Sequence, residues 1–300
     1  MTPVSPPTYR LTRIAPTPSG YLHLGNVLSF AITYALAKRH GAKIMLRIDD
    51  LDQKRVKMPY VEDLFETLDF LDFPWHYGPK NLKEYQDSFS QIHRMPLYHK
   101  MLDHLVADDR VYACQCSRKK IALASPDGSY PGTCIGKNID LGQKMVNWRL
   151  KTDQHPLTMK LENNYCASPL PALMKDFVIR KKDGAPSYQL ASVVDDIHYG
   201  VDLIVRGDDL FDSSWTQLFL AGLLPKNQFS QSTFYHHPLM MENGDHKLSK
   251  SAGSTSVYGL RKLGETKAAI YQQLGIFMGF DEMVTNLKEF ERAFNQKRLP

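Results

Sequence analysis

The chain has 300 residues, 43% hydrophobic and 23% charged, with a formal net charge of +5, globular values with room for one large or two ordinary domains. It holds no apolar run of 18 residues, and residues 1–8 form a proline-rich polar tail rather than a basic-then-apolar leader, so the expectation is a cytoplasmic protein with no membrane association. Four cysteines are too few for a disulfide framework.

Residues 10–14 begin as a short β-type run, after which Pro16 and Pro18 push Ala15 and Thr17 into extended conformations. Gly20 and Gly25 permit a tight turn and close approach of the backbone to a ligand. From residue 26 to 40 the apolar pattern has helical spacing, with Asn26 as the expected N-cap and Gly41 as the stop. Residues 43–48 read as a second strand. Strand, turn, helix, strand implies parallel pairing in a Rossmann-like sheet, and the helix N-terminus is where a phosphate belongs. A second helix is expected over residues 60–70.

Further on, a helix near residues 101–106 precedes a cluster of three cysteines, Cys114-Gln-Cys116 and Cys134, preceded by Tyr130-Pro-Gly-Thr. Thiolate-rich sites favour zinc. Three cysteines are one short of the usual four ligands, so packed thiols and a structural metal both remain open on spacing alone. Residues 144–182 carry eight basic residues against three acidic (Asp153, Glu162, Asp176), with Arg180, Lys181 and Lys182 consecutive. Such a stripe suits a polyanion such as RNA, or equally a solvated hairpin turn. Strands are expected at 176–180 and 203–206, with a helix over 215–224. Last comes the polar stretch Lys247-Leu-Ser-Lys-Ser251, then helical segments and a charged tail.

Two of these stretches, Ala15-Pro-Thr-Pro-Ser-Gly-Tyr-Leu-His-Leu-Gly-Asn26 and Lys247-Leu-Ser-Lys-Ser251, resemble the HIGH and KMSKS signatures of class I aminoacyl-tRNA synthetases. Flanking segments are similar to the glutamyl branch: Arg47-Ile-Asp-Asp-Leu-Asp52 to its RIEDTD segment, and Tyr188-Gln-Leu-Ala191, Val193-Val-Asp-Asp196 and Val205-Arg-Gly-Asp-Asp-Leu210 to the region that closes over the amino acid. The resemblance implies an α/β fold, a Rossmann-like class I catalytic domain with an acceptor-binding insertion and no anticodon-binding domain. It divides the chain into residues 1–97 and 176–245 as the halves of the catalytic domain, 98–175 as the insertion, and 246–300 as the KMSKS-like loop and C-terminal helical segment.

Carried over by position, the resemblance implies phosphate-handling roles for His23, Gly25, Asn26, Lys247 and Lys250, and glutamate binding by Arg13, Ala15, Thr17, Asp49, Tyr188 and Arg206. A guanidinium such as Arg13 or Arg206 can hold a carboxylate in a fork, and a carboxylate such as Asp49 can hold the α-ammonium. The branch usually has glutamate where this chain has Asp49; with a side chain one methylene shorter, either the backbone moves in or Asp50 or a water contributes. The cysteine cluster is similar to the zinc segment of the branch, where the tyrosine can be the fourth ligand, which implies one structural zinc on Cys114, Cys116, Tyr130 and Cys134. Cys166 matches nothing and reads as a packed or free thiol.

The activity implied is ligation: ATP with Mg2+ activates L-glutamate to glutamyl-adenylate, which is transferred to tRNA by a monomeric enzyme. The short chain and the Val-Arg-Gly-x-Asp-Leu stretch resemble most the truncated paralogue of the branch that modifies the queuosine base of tRNA(Asp). The intact Lys-Leu-Ser-Lys-Ser stretch leans the other way, to a compact glutamate-tRNA ligase acting at the 3′ end of tRNA(Glu). A non-catalytic paralogue would be expected to lose His23, Gly25 or the lysines, and all are present. A small-molecule nucleotidyltransferase of related fold lacks a use for the cysteine segment and the basic stripe.

Overall fold

The structure, a computed structural model, describes residues 8–242, 246–247 and 256–297. In chain order the elements are β1 (Leu11–Ile14), α1 (Leu24–His40), β2 (Lys43–Leu46), α2 (Met58–Phe70), the single turn α3 (Leu82–Glu84), α4 (Met95–Ala107), β3 (Val111–Cys114), α5 (Arg118–Ala124), β4 (Asn147–Leu150), β5 (Leu157–Leu161), β6 (Tyr165–Ser168) and β7 (Val178–Arg180). They continue with α6 (Tyr188–Tyr199), β8 (Leu203–Gly207), α7 (Phe211–Gly222), β9 (Thr233–His237), β10 (Met241–Glu242), β11 (His246–Lys247), α8 (Val257–Lys262), α9 (Lys267–Met278) and α10 (Leu287–Gln296). The chain forms two compact units: one comprises the stretch up to His93, Asp202–Asp208 and everything from Tyr235 on, and the other comprises Arg94–Val201 and Asp209–Phe234.

In the first unit β1 lies between β2 and β8 and is parallel to both, with Thr12 paired to Ile44 on one side and Leu203 on the other. All four residues of β1 are buried, as expected of a central parallel strand covered on both faces. The α1 helix is buried almost all round, and its contacts with β1, β8, α9 and α10 explain why its sequence is apolar beyond one stripe. By contrast α10 is sharply amphipathic and commits Leu287, Phe290, Ala293 and Phe294 to the core. Gly41, at φ 70°, ends α1 in the left-handed conformation that glycine adopts without a Cβ clash, where a stop was expected.

One expectation is corrected at the other end of α1. The N-cap is His23, not Asn26; the helix starts at Leu24, three residues before a cap at Asn26 would allow. Asn26 is the third helical residue, and its Oδ1 accepts the His23 backbone N–H at 3.1 Å. It therefore performs the returning half of a capping box, usually the job of glutamate or glutamine.

The second unit contains an antiparallel sheet in the order β3-β4-β7, and the hairpin β5-β6 with β9 parallel to β5. Val178–Arg180 was expected to resume the parallel sheet; it pairs with β4 instead, across a register shift at Trp148 and Arg149. The helices α6 and α7 pack on each other, and the buried Asp195 of α6 receives Arg94 Nε (2.7 Å), its second nitrogen (3.0 Å) and the Tyr98 hydroxyl (2.8 Å) from around α4. Among the described residues no helix is long and apolar enough to cross a membrane.

Candidate functional site

The carboxyl ends of parallel strands, beside a helix N-terminus, are where open α/β sheets bind ligands. At the end of β1 the chain turns through Ala15 to Leu22 into α1, and Arg47 N–H to Ile14 C=O and Asp49 N–H to Pro16 C=O, both 2.9 Å, lace this turn to the segment leaving β2. Thr17 is exposed on the turn and its carbonyl accepts Ser19 N–H; Ala15 is half-buried. The first turn of α1 has no acidic residue, so its free N–H groups and positive dipole end stay available to an anion. A Cβ on Gly25 would lie 3.1 Å from both Cε1 and Nδ1 of His23, so glycine there is what allows the imidazole to fold over the start of the helix.

The C-terminal flank of the lysine stretch returns to the same turn. Ser256 and His23 form an isolated antiparallel bridge, and Val257 N–H donates to Leu22 C=O at 2.8 Å. Tyr258 stacks flat on Tyr21, ring centroids 4.2 Å apart, and Tyr60 meets Tyr21 edge-on. Lys247 ends the short strand β11, which pairs with β10, while Lys250 lies outside the described residues. Two stretches more than 220 residues apart in sequence are thus joined by backbone hydrogen bonds beside His23.

Arg13 and Arg206, from β1 and β8, are buried at 5% and 3% exposure, and the Arg13 guanidinium donates to Val205 C=O at 3.2 Å. Burial, followed by the Arg206 charge and His237, pushes the His236 imidazole down to about 3. His236 is therefore neutral near pH 7. Nothing in the sequence pattern pointed to His236, which is brought to Arg206 only by folding.

Asp49 forms a buried bidentate pair with Arg47, at 2.7 and 2.9 Å. Asp50, considered as a helper for the shortened Asp49, is committed elsewhere: it is fully buried and accepts from the Tyr85 hydroxyl (2.7 Å), the Gln91 N–H (2.7 Å), Gln53 Nε2 (3.1 Å) and Ser90 Oγ. Its role is to anchor the residues after α3. In the second unit Tyr188 is the first residue of α6 and 43% exposed, following the N-cap Ser187.

The cysteine segment forms a small core of its own. Cys114, Cys116 and Cys134 are free thiols whose sulfurs all lie within 4.8 Å of one another, and Cys116 and Cys134 are 3.6 Å apart. Tetrahedral zinc with Zn–S bonds of about 2.3 Å places sulfurs about 3.8 Å apart, so the donor set and its spacing fit that ion. The Tyr130 hydroxyl lies in the same cluster and accepts the Cys134 N–H at 2.9 Å. Burial raises the Cys134 thiol, but the Gln115 amide, the Tyr130 hydroxyl and the other two thiols outweigh it and bring it down to about 7. Cys116 moves up to about 11, through burial and its hydrogen bond to Cys134. Cys166 stands apart, its thiol directed to Met159 C=O and raised by burial. Of the basic triplet, Arg180 stacks on Trp148 and Lys182 donates to Gln115 C=O at 3.0 Å, so both brace the cysteine turn and the β7 hairpin as well as adding charge.

Comparison with known proteins was consistent with this geometry. Residues 11–299 match the family described as tRNA synthetases class I (E and Q), catalytic domain. The chain is 34% identical over 239 residues to the glutamyl-Q tRNA(Asp) synthetase of Pseudomonas paraeruginosa, covering 80% of this chain and 76% of that protein. It is 29% identical over 310 residues to glutamate-tRNA ligase 2 of Syntrophus aciditrophicus, covering 95% of this chain and 61% of the ligase. The crystal structure of a glutamate tRNA ligase from Elizabethkingia meningosepticum, in complex with its amino acid, superposes with a TM-score of 0.73 at 19% identity, over 95% of this chain and 64% of that one. That likeness establishes the fold, and the chain spans less than two thirds of both ligases.

Proposed function

Because this chain belongs to the class I tRNA synthetases of the E and Q type, whose catalytic-domain family it matches over residues 11–299, we propose that it is a ligase that activates L-glutamate with ATP and passes the glutamyl group to tRNA. The observation that carries the reading is the backbone junction of Ser256 and Val257 with Leu22 and His23, which ties the flank of the lysine stretch to the N-terminus of α1. ATP enters as its magnesium complex. A glutamate α-carboxylate oxygen attacks the α-phosphorus in line, the new P–O bond forms as the bond to the β-phosphate breaks, and pyrophosphate leaves.

The chain's part is positioning and charge stabilisation rather than covalent chemistry. The phosphate-handling roles fall to His23, the Gly25 amide, Asn26 through its hold on the turn, Lys247 and Lys250. Arg13 and Arg206 hold the substrate side-chain carboxylate, Asp49 the α-ammonium, and Ala15 and Thr17 line the amino acid. A hydroxyl of the RNA then attacks the acyl carbon and AMP departs. Cys114, Cys116, Tyr130 and Cys134 would hold one structural zinc, which supplies a rigid cross-link and no reacting group.

For the acceptor we favour the queuosine base of tRNA(Asp), supported by relatives bearing the glutamyl-Q tRNA(Asp) synthetase name at 34% identity. The second reading, charging of tRNA(Glu) at its 3′ end, is supported by the glutamate-tRNA ligase relatives and the intact lysine stretch. A cytoplasmic monomer fits either. Glutamate-dependent pyrophosphate exchange, with and without tRNA, tests the activation step; its absence under both conditions rejects the enzyme reading. Charging tRNA from cells with and without queuosine, then locating the label, decides the acceptor. Queuosine-dependent label away from the 3′ end is expected, and label on the 3′ adenosine of tRNA(Glu) selects the second reading.

A further inference from the structure

Arg149 is an unusual residue to find beside a metal site. It lies on β4, paired across the ladder with Tyr112, and strand alternation puts Tyr112, Cys114 and Arg149 on one face of the sheet. Its guanidinium carbon sits 3.6 Å above the centre of the Tyr130 ring, and one terminal nitrogen donates to Asp176 C=O at 2.6 Å. The residue is only 6% exposed. Its Nε is buried without a hydrogen-bond partner among the described residues. The nearby Asp176 carboxylate is already engaged by Thr152 and by the Tyr112 hydroxyl. A buried cation without a carboxylate partner is expensive unless some other negative charge compensates it.

We infer that Arg149 is a positioning residue for the oxygen ligand of the metal centre: its planar guanidinium clamps the Tyr130 ring and supplies the outer positive charge that a thiolate- and phenolate-bound divalent ion requires. A divalent ion held by three thiolates and one phenolate carries a net charge of −2. That cluster is the anion the buried guanidinium lacks, and the stack fixes the ring so that its oxygen points at the sulfurs. Outer-shell groups of this kind orient ligands and typically change metal affinity by about 10–100-fold. Arginine suits the position better than lysine because only a planar cation can lie flat on the ring. The inference rests on the zinc reading above.

The test uses the full-length protein loaded with zinc, following transfer of the metal to a chromophoric chelator, and a cobalt(II)-substituted form read by its visible spectrum. Arg149→Met is expected to release zinc about 10–100-fold faster, with Arg149→Lys between it and the wild type. In cobalt-loaded Arg149→Met the bands should move towards those of Tyr130→Phe. Adding Arg149→Met to Tyr130→Phe should change release by less than about threefold, because the arginine acts through the ring. Wild-type release in Arg149→Met, or full multiplication of the two effects in the double variant, overturns the role. If Arg149→Met does not fold, Arg149→Lys in both backgrounds decides by the same criterion. Wild-type protein that binds no zinc is a separate result, seen before any variant is made, and removes the metal centre and this role together.

Discussion

At the residue scale, Gly25 offers a way to disturb His23 without removing it. A methyl at position 25 meets the imidazole at 3.1 Å, so the ring must shift by a few tenths of an ångström, while alanine is a better helix former than glycine. Gly25→Ala is therefore expected to keep or slightly raise the thermal midpoint and to slow pyrophosphate exchange by about tenfold, within the roughly tenfold to thousandfold expected for His23→Ala. Unchanged exchange in both variants would remove His23 from the phosphate site. The Arg47–Asp49 fork makes a different prediction. With both side chains buried, Arg47→Met removes the bidentate cation from a buried carboxylate and should cost about 3–5 kcal/mol in urea unfolding. Asp49→Asn should raise the KM for glutamate far more than that for ATP; equal losses would assign the residue to folding alone. This fork was legible in principle, since two residues apart in an extended segment share a face. The Asp50 network was not, because its donors Tyr85, Ser90 and Gln91 lie 35 to 41 residues away.

At the scale of elements, the parallel β1-α1-β2 unit was readable because turn chemistry, helical periodicity and the Gly41 stop all agree. The start of α1 was misplaced for a physical reason: asparagine is a favoured N-cap, but here it sits one turn inside and reaches back to the His23 N–H. The three-residue strand β7 was equally opaque, since so short a segment carries no information on which sheet it joins. What no sequence pattern announces is the aromatic joint at α8. Stacked aromatic pairs contribute about 0.5–1.5 kcal/mol beyond burial, and this one fixes the helix that follows the lysine stretch in the chain. Tyr258→Ala should therefore raise the KM for ATP and lower the exchange rate with little change in the KM for glutamate, and Tyr258→Phe should restore both. A loss confined to glutamate binding would contradict this assignment.

At the scale of the whole molecule, neither compact unit is a continuous stretch of chain. The core of the first unit combines Ile14, Val27 and Leu46 with Leu203 and Val205, and with Val257, Leu274 and Phe290. A fragment ending at residue 200 lacks β8 beside β1 and lacks α8, α9 and α10 altogether. It is expected to lose cooperative unfolding in residues 11–93, as read by amide hydrogen exchange; slow, native-like exchange there would show that the N-terminal stretch holds its own core. The second unit closes much earlier, at Phe234. During synthesis residues 11–93 must therefore wait for residues 235–297, which are made later. At about 5–20 residues per second, the 200-odd residues after His93 take roughly 10–40 s to make. Throughout that interval the apolar face of the histidine-bearing helix has no permanent cover, which makes the nascent N-terminus of this chain a natural client for a chaperone.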